Sequence, residues 1–423
     1  SIPAVSITDA PRFQWRGVLL DVARHFFTKE QIFRLLDRMA VHKLNSLQIH
    51  FTDDQAWRLE IKRFPKLTTV GAVGDIDNRN APARFFTQDD VREIIAYAKK
   101  LHIRIVPEIE MPAHSGAAIR SYPEIACDPK KHGGGGMICP VNEKALRFYE
   151  GVLDEVCELF DSPFIHIGGD ECNKSEWRKC PACNAEMKRN GWRSFNRLQS
   201  AYIAHVDKYL AAKKRRLLGW DEILEGGLAP GATVMSWRGA YHKMSAAQGG
   251  LAAAKQGRDI IFSPCDYLYL DYQQFPAVKG RSPDGRRYFG FPISVRRIFN
   301  YEPTDGIPPE LRKHLLGIQA NMWTEVCPNE EDLEWKLFPR LCAVAEIAWT
   351  PLPPAPAAPA ASALPAAKKD ANAKKDKKPA DRRDYADFVR RLEGDGTGVG
   401  AAAGHLDRLR RLGIRHAPLE WKK

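Results

Sequence analysis

The sequence predicts an α/β protein, a (β/α)8 barrel with a C-terminal helical extension. Three observations lead to this prediction: eight short apolar runs, helical periodicity between them, and polar side chains at the end of nearly every run. A chain of 423 residues, 44% of them hydrophobic, can form one such barrel or two smaller domains. Because barrel enzymes place their active site at the carboxyl ends of the strands, the polar side chains there are the functional candidates.

The eight runs are rich in β-branched residues and predict buried parallel strands. They occupy residues 17–22, 46–51, 103–109, 164–167, 216–220, 233–237, 259–263 and 316–321. Short, mainly apolar runs that alternate with helical segments are typical of strands covered on both faces. A doubly wound sheet is the main alternative, but no Gly-rich phosphate-binding motif opens a helix after the first run.

The segments between the runs have the period of amphipathic helices. Apolar residues of the first segment recur three and four positions apart, at Ile32, Leu35, Leu36 and Met39. Thr28 and Thr87 each precede an acidic or amide-bearing first turn, which is the signal of an N-terminal cap.

The composition changes abruptly after the predicted barrel. We therefore predict a catalytic barrel over residues 1–350, a disordered linker rich in Pro, Ala and Lys over 351–380, and C-terminal helices over 381–423 that pack on the barrel. The apolar residues that predict these last helices are Tyr385, Phe388, Val389, Leu392, Leu406, Leu409 and Leu412.

The net charge of +12 does not predict a nucleic-acid partner. Residues 368–423 contain 16 Lys and Arg against nine Asp and Glu, so much of the excess lies in a run typical of solvated charge. No apolar run approaches the roughly 18 residues needed to span a membrane. The first nine residues lack a signal-peptide pattern and the chain does not begin with Met, so we expect a trimmed start that does not reveal the compartment.

The nine cysteines predict no structural metal. Cys180 and Cys183 have the spacing of half a zinc site, with Cys172 nearby, but no second pair at the same spacing follows. Cys127 and Cys139 bracket a Gly-rich loop and could form a disulfide in an oxidising compartment.

Charged and aromatic side chains at the strand ends indicate a sugar site. They include Asp21, Arg24, His25, Asp53, Glu108, Glu110, His114, Asp170, Glu171, Trp220, Trp237, Tyr269, Asp271, Trp323 and Glu325. Each one alone is explained equally well as a helix cap or as packing at the barrel rim, but their shared position favours a ligand. Aromatic rings suit the C–H faces of a pyranose, and carboxylates and Arg suit its hydroxyls. Too few histidines converge to predict a dinuclear metal hydrolase.

Asp170 and Glu171 are adjacent in the sequence, which is unusual for a pair of catalytic carboxylates. Glycoside cleavage needs an acid for the leaving oxygen and a second group that stabilises the sugar cation, commonly on opposite sides of the bond. Adjacent side chains diverge, so the second group must come from elsewhere. A retaining glycosidase with a protein nucleophile and an inactive sugar-binding barrel remain the alternatives.

The chain resembles the catalytic domain of family 20 glycoside hydrolases, the β-N-acetylhexosaminidases. The matching motifs are WRG and DVARHF within residues 15–26, TDDQ at 52–55, PEIEMPAH at 107–114, HIGGDE at 166–171, GWDE at 219–222, SWRG at 236–239, YLD at 269–271 and MWTE at 322–325. The resemblance implies exo-acting, retaining hydrolysis of terminal GlcNAc or GalNAc from an oligosaccharide or glycoconjugate, without metal or organic cofactor. It also implies a periplasmic or secreted location and a small domain before the barrel.

The resemblance implies that the missing nucleophile is the acetamido oxygen of the substrate, which forms an oxazolinium ion. Glu171 would be the general acid and base, and Asp170 would orient the acetamido group. We expect the adjacent carboxylate to keep Glu171 protonated while Asp170 stays ionised. We also expect Gly168 and Gly169 to admit the sugar close to the backbone.

The resemblance assigns supporting roles to the other matched positions. Asp53 and His114 would form a relay that is hydrogen-bonded to Glu171. The sugar would be bound by Arg24, Asp271 and Glu325 at its hydroxyls, by Tyr269 at the acetamido oxygen, and by Trp220, Trp237 and Trp323 as the pocket walls. Neither the preference between GlcNAc and GalNAc nor the oligomeric state follows from the sequence.

Overall fold

The computed structural model describes residues 6, 8–128, 136–278, 282–352, 381–394 and 404–420. Within these ranges, eight parallel strands close into a barrel in chain order. The strands are β1 (Trp15–Asp21), β2 (Ser46–His50), β3 (Arg104–Glu108), β4 (Phe164–His166), β5 (Arg216–Trp220), β6 (Thr233–Ser236), β7 (Ile260–Phe262) and β8 (Leu315–Met322). Every predicted strand is present within two residues of its predicted bounds, which confirms the barrel.

Helices lie between the strands and after the barrel. Those in the described residues are α1 (Lys29–Val41), α2 (Lys66–Thr69), α3 (Gln88–Lys100), α4 (Gly116–Ser121), α5 (Glu143–Leu159), α6 (Ser175–Lys179), α7 (Pro181–Arg189), α8 (Phe195–Ala212), α9 (Ala246–Lys255), α10 (Cys265–Leu268), α11 (Val295–Phe299), α12 (Glu330–Leu337), α13 (Arg340–Trp349), α14 (Tyr385–Glu393) and α15 (His405–Arg411). Short 3-10 turns occupy Pro123–Ile125, Asp221–Leu224 and Pro309–His314. None of the helices in these ranges is long and apolar enough to cross a membrane.

Both predicted helix caps form. The Thr28 side chain accepts a hydrogen bond from the backbone N–H of Gln31, and the Gln31 side chain accepts one from the backbone N–H of Thr28. Thr87 and Asp90 make the same reciprocal pair at the start of α3. Each capping box satisfies two N–H groups that would otherwise lack partners, and so determines where its helix begins.

The strand register brings polar residues to one end of the barrel. Asp21 pairs with His50 across β1 and β2, His50 with Glu108 across β2 and β3, and Glu108 with His166 across β3 and β4. The interior below them is apolar, with Trp15, Leu19, Val106, Phe164, Leu218, Trp220, Met235 and Ile261 in one buried cluster. The barrel is therefore a packed core with a charged floor at the carboxyl ends of its strands.

The C-terminal helices contact the outer helices of the barrel. Phe388 in α14 stacks on Phe299 in α11, with 4.5 Å between ring centroids. Arg383 Nη2 lies 3.1 Å from Glu302 Oε2, and the Ala417 backbone N–H donates to the Phe338 carbonyl at 2.9 Å. Residues 353–380 of the predicted linker lie outside the described residues, so that part of the domain division stays a prediction.

Candidate active site

A cavity of about 310 Å³ opens at the carboxyl ends of the strands. It is lined by Arg24, His50, Asp53, Glu110, His114, Asp170, Glu171, Trp237, Tyr269, Asp271, Tyr272, Phe289, Gly290, Trp323 and Glu325. All residues to which the resemblance assigned a role, except Trp220, are in this lining, whereas the strand-end candidates Asp21, His25 and Glu108 are not. The volume lies at the small end of the range for ligand pockets, which suits one sugar ring.

The turn after β4 carries the adjacent acids on a left-handed backbone. Gly168 has φ +66°, Gly169 +90° and Glu171 +47°. A side chain on Gly168 would overlap the Glu110 carboxylate, and one on Gly169 would collide with Ile223. The glycines are thus needed for the turn and for the close approach of Glu110, and the expectation that they admit the sugar stays a prediction.

Asp170 and Glu171 lie at different depths although they are neighbours in the chain. The Asp170 side chain is 15% exposed and the Glu171 side chain 61%, while His114 Nε2 is 3.7 Å from Asp170 Oδ2 and 3.6 Å from Glu171 Oε2. Burial, with the Glu171 charge adding to it, raises the pKa of Asp170 to about 6. A hydrogen bond from His114 lowers the pKa of Glu171.

These pKa directions are the reverse of the sequence expectation for the ligand-free pocket. The sequence shows that the two acids are adjacent, but their relative depth decides which of them binds a proton more tightly. Asp170 is the buried member and Glu171 is open to solvent beside a cationic imidazole. We therefore correct the expectation: without substrate, Asp170 binds a proton more tightly than Glu171.

Asp53 links three basic side chains beneath the acids. Its Oδ1 atom is 3.2 Å from His114 Nδ1, and its Oδ2 atom is 2.8 Å from both Arg24 Nη2 and His50 Nε2. Burial alone would lower the pKa of His114, but Asp53 and Asp170 raise it well above its ordinary value. His114 also has a left-handed backbone, with φ +48°. The imidazolium is therefore held in one place, pointing its Nε2 at both acids.

The floor of the cavity contains residues to which the sequence gave no role. His50 Nδ1 lies 2.8 Å from Glu108 Oε2, and Trp220 Nε1 donates to Glu108 Oε1 at 2.9 Å. Trp220 is 1% exposed and lies behind Trp323, with ring centroids 5.9 Å apart. Trp220 therefore supports the wall from behind instead of forming it, which differs from the prediction.

Glu110 was among the predicted strand-end side chains, but the sequence gave it no role. Its backbone N–H donates to Thr52 Oγ1 at 2.9 Å, and burial, with repulsion from Asp170, raises the pKa of its carboxyl well above the ordinary value. The available signal was the alternation of Glu108 and Glu110 at the end of the third strand.

The floor could hold a cation only if His50 were free to act as a ligand. His50, Glu108 and Glu110 lie close enough together for this, but both His50 nitrogens already face carboxylates. Burial alone would lower the pKa of His50, but Glu108 and Asp53 raise it to about 10. A protonated imidazole has no lone pair for a metal, so this group fits an ion-pair network better than a metal site.

Three aromatic rings form the walls of the cavity. Trp237 and Tyr269 stack with centroids 6.0 Å apart, and Tyr269 and Trp323 meet at 6.2 Å. Trp237 Nε1 donates to Glu222 Oε2 at 3.0 Å, which fixes the plane of its indole. The Arg24 guanidinium lies 5.2 Å from the Trp323 ring centroid. These rings offer the apolar faces that the C–H surface of a pyranose requires.

Several buried carboxylate oxygens in the lining lack a hydrogen-bond donor from the described part of the chain. They are Glu110 Oε2, Asp170 Oδ1, Asp271 Oδ1 and Glu325 Oε2. Burial and the nearby Glu325 raise the pKa of Asp271 to about 8, and burial also raises that of Glu325. Buried acceptors without donors are costly, so these atoms suit a ligand that brings N–H and O–H groups.

The fold and the paired acids define the class of protein as a (β/α)8 barrel with a sugar-sized pocket. The model of the glycosyl hydrolase family 20 catalytic domain matches residues 13–352, and the chain belongs to this family.

The chain is similar to enzymes of known name over most of its length. It is 40% identical to a β-hexosaminidase of Porphyromonas gingivalis, over 93% of this chain and 47% of the relative, and 35% identical to one of Vibrio furnissii, over 81% and 58%. The structure of a family 20 exo-β-N-acetylglucosaminidase from Vibrio harveyi, in complex with N-acetylglucosamine, matches with a TM-score of 0.78 at 32% identity, over 98% of this chain and 60% of that one. The chain spans about half the length of the curated relatives it matches.

Proposed function

We propose that this catalytic domain is an exo-acting, retaining β-N-acetylhexosaminidase. It removes a terminal GlcNAc or GalNAc from an oligosaccharide or glycoconjugate, and the acetamido oxygen of the substrate acts as the nucleophile. Membership of family 20 and the names of the similar enzymes support the substrate class. The small cavity supports exo action, because it has room for little more than the terminal sugar.

The observation that carries the proposal is the difference in depth between the two acids. Glu171 is mostly exposed at the mouth, where the leaving group would project, and Asp170 lies deeper with an unpartnered oxygen. Both approach the same His114 nitrogen, so they lie on one side of the cavity. A protein nucleophile would instead face the acid across the bond.

In the proposed reaction, a bound sugar changes the protonation of the pair. The acetamido N–H gives Asp170 a donor and favours its ionised form, while the sugar covers Glu171 and favours its neutral form. Glu171 then protonates the leaving oxygen as the acetamido oxygen attacks the anomeric carbon, and Asp170 stabilises the positive charge that develops on the amide. Glu171 next deprotonates a water that opens the oxazolinium ring, and configuration is retained.

The other lining residues bind and position the sugar in this proposal. Arg24, Asp271 and Glu325 contact its hydroxyls, and Tyr269 donates to the acetamido oxygen. Trp237 and Trp323 pack on the ring, with Trp220 supporting Trp323. The chain of hydrogen bonds from Asp53 through His114 holds Glu171 in place.

The test compares Asp170→Asn and Glu171→Gln with an isosteric surface control, Asp161→Asn, on an aryl N-acetylglucosaminide. Asp170→Asn should lower kcat by about 100-fold or more, since it removes charge stabilisation of the amide, and Glu171→Gln should lose most activity on poor leaving groups. The control should keep wild-type rates. Wild-type kcat in Asp170→Asn, or a trapped covalent adduct with a 2-fluoro sugar, would contradict substrate assistance. Paired GlcNAc and GalNAc substrates measure the preference.

A further inference from the structure

Four cysteines meet beside the catalytic turn, outside the cavity. Cys127 and Cys139 belong to the long connection after β3, and Cys180 and Cys183 flank the start of α7 after β4. Cys139, Cys180 and Cys183 are buried and Cys127 is partly buried. None of the four takes part in the proposed reaction.

The four sulfurs are mutually close, within 4.8 Å of one another. Cys139 Sγ lies 3.7 Å from Cys183 Sγ and 4.0 Å from Cys180 Sγ, and Cys127 Sγ lies 3.8 Å from Cys183 Sγ. Zinc–thiolate bonds of about 2.3 Å in a tetrahedron place the sulfurs about 3.8 Å apart. The spacing of the cluster matches that of a four-thiolate site.

A pair of disulfides does not explain this arrangement. All nine cysteines are free, so the disulfide considered between Cys127 and Cys139 is not formed. Two disulfides would draw each sulfur to about 2 Å from a single partner and would not need all four to be equally close. Here Cys183 is about equally near to Cys127 and Cys139.

The local backbone favours thiolates at these positions. Cys180 occupies the N-cap of the nine-residue helix α7 and Cys183 lies in its first turn, where the helix dipole stabilises negative charge. The backbone N–H of Val141 donates to the Cys139 sulfur. Trp177 packs in the same apolar cluster, and its Nε1 donates to the Ile138 carbonyl at 2.9 Å.

We propose that Cys127, Cys139, Cys180 and Cys183 bind one structural Zn²⁺ as four thiolates. Each thiol gives up its proton when the metal binds, and no ligand position is left open for chemistry. The sequence pattern did not predict this site, because no second cysteine pair follows Cys183. The other two ligands, Cys127 and Cys139, precede Cys180 and do not share the spacing of Cys180 and Cys183.

The site ties together the two connections that carry the catalytic turn and His114. Cys172, which follows Glu171 directly, places its sulfur 3.8 Å from Met137 Sδ in the same cluster. Ala113, next to His114, packs there too. Zinc therefore acts as a positioning group for Glu171 and His114, and its loss should act on their placement as well as on stability.

The first test measures metal in the purified wild-type domain by mass spectrometry and by release with a mercurial reagent into a colorimetric chelator. We expect one zinc ion per chain, and cobalt substitution should give the intense visible bands of a tetrahedral thiolate site. Alkylation of the unfolded chain without reductant should label all nine cysteines. Fewer labelled cysteines with no bound zinc, or iron in place of zinc, would overturn the assignment.

The second test compares Cys127→Ser and Cys183→Ser with Cys157→Ser, a buried cysteine of α5 outside the cluster. The two cluster variants should retain well below half of the zinc and lose thermal stability, and Cys157→Ser should keep full zinc. If Cys183→Ser does not fold, the zinc content of Cys127→Ser, whose side chain is only partly buried, and that of the wild type still test the site. Full zinc occupancy in Cys127→Ser would contradict a four-cysteine site.

Discussion

Asp170 and Glu171 titrate as one pair, because they are neighbours in the chain and share the His114 imidazolium. In the ligand-free pocket the buried Asp170 binds a proton more tightly than Glu171, whereas the proposed reaction needs the proton on Glu171. Both arrangements carry one proton and differ only in its position. Below about pH 6, substrate binding therefore only has to move the proton between neighbours, whereas above that value a proton must first be taken up from solvent.

The pH dependence of kcat/KM should follow this shared proton. The Asp170 pKa of about 6 means that the free pair loses its proton as pH rises through that value. Since kcat/KM reports the free enzyme, it should fall above about pH 6 and fall again in acid, where both groups are protonated. Measuring kcat/KM on an aryl N-acetylglucosaminide tests this. A value that rises through pH 6 would contradict the shared-proton account.

Asp170 should cost the fold stability at neutral pH. Its folded pKa of about 6 exceeds its ordinary value of 3.8, so the penalty is absent below about pH 4 and complete above about pH 6. Asp170→Asn should raise the free energy of unfolding by roughly 1–3 kcal/mol at neutral pH, with the gain vanishing in acid. Urea unfolding measures this change in the free energy of unfolding. Glu171→Gln is the matched control, because that side chain is mostly exposed and its pKa is lowered. An equal gain in stability in Glu171→Gln would contradict burial of Asp170 as the cause.

At the scale of elements, the strands and capped helices were the most predictable parts. Each strand needs a short apolar run, and each cap needs a side chain three residues from its partner, as with Thr28 and Gln31. These signals are local in the sequence. The relative depth of Asp170 and Glu171 follows from the turn before them, where Gly168 and Gly169 lie against Glu110 and Ile223. These two residues come from the connections after β3 and β5, so sequence patterns could not predict the depth.

Helix α14 should contribute measurably to stability through one ring. Phe388 is buried and stacks on Phe299 of the barrel. Phe388→Ala should lower the free energy of unfolding by about 3 kcal/mol, because it removes apolar burial and leaves a cavity. Arg390→Ala on the exposed face of the same helix is the control; it loses a surface pair with Asp387 and should cost a few tenths of a kcal/mol. Equal losses in denaturant unfolding would mean that the helix does not dock through Phe388.

For the whole molecule, the cavity is rich in carboxyl groups although the chain as a whole is basic. The chain carries +12, but the lining contains six carboxyl groups against Arg24, His50 and His114. The overall composition therefore does not describe the ligand environment, whereas the carboxylates at the predicted strand ends do. These carboxyl groups, Glu110 and Asp271 among them, come together only through barrel closure.

The carboxyl groups that line the cavity should discriminate against anionic sugars if the proposed activity holds. A 6-sulfated N-acetylglucosaminide should show a kcat/KM at least about tenfold below that of the unsulfated substrate, because Asp271 and Glu325 offer no cation to the sulfate. Added salt should narrow the gap by screening. Comparing the two substrates at low and high ionic strength measures this effect. Equal kcat/KM values at low salt would show that the sulfate does not meet the carboxylates.

The hydrogen bond from Trp177 to Ile138 joins the segment that follows the two acids to the connection after β3. Tyr272 and Phe289 line the cavity from the connection after β7, far in sequence from the two acids. Protein engineers who wish to broaden the range of accepted aglycones should therefore randomise Tyr272 and Phe289 first. Changes around Trp177 and Ile138 would instead disturb the placement of Glu171, the proposed proton donor.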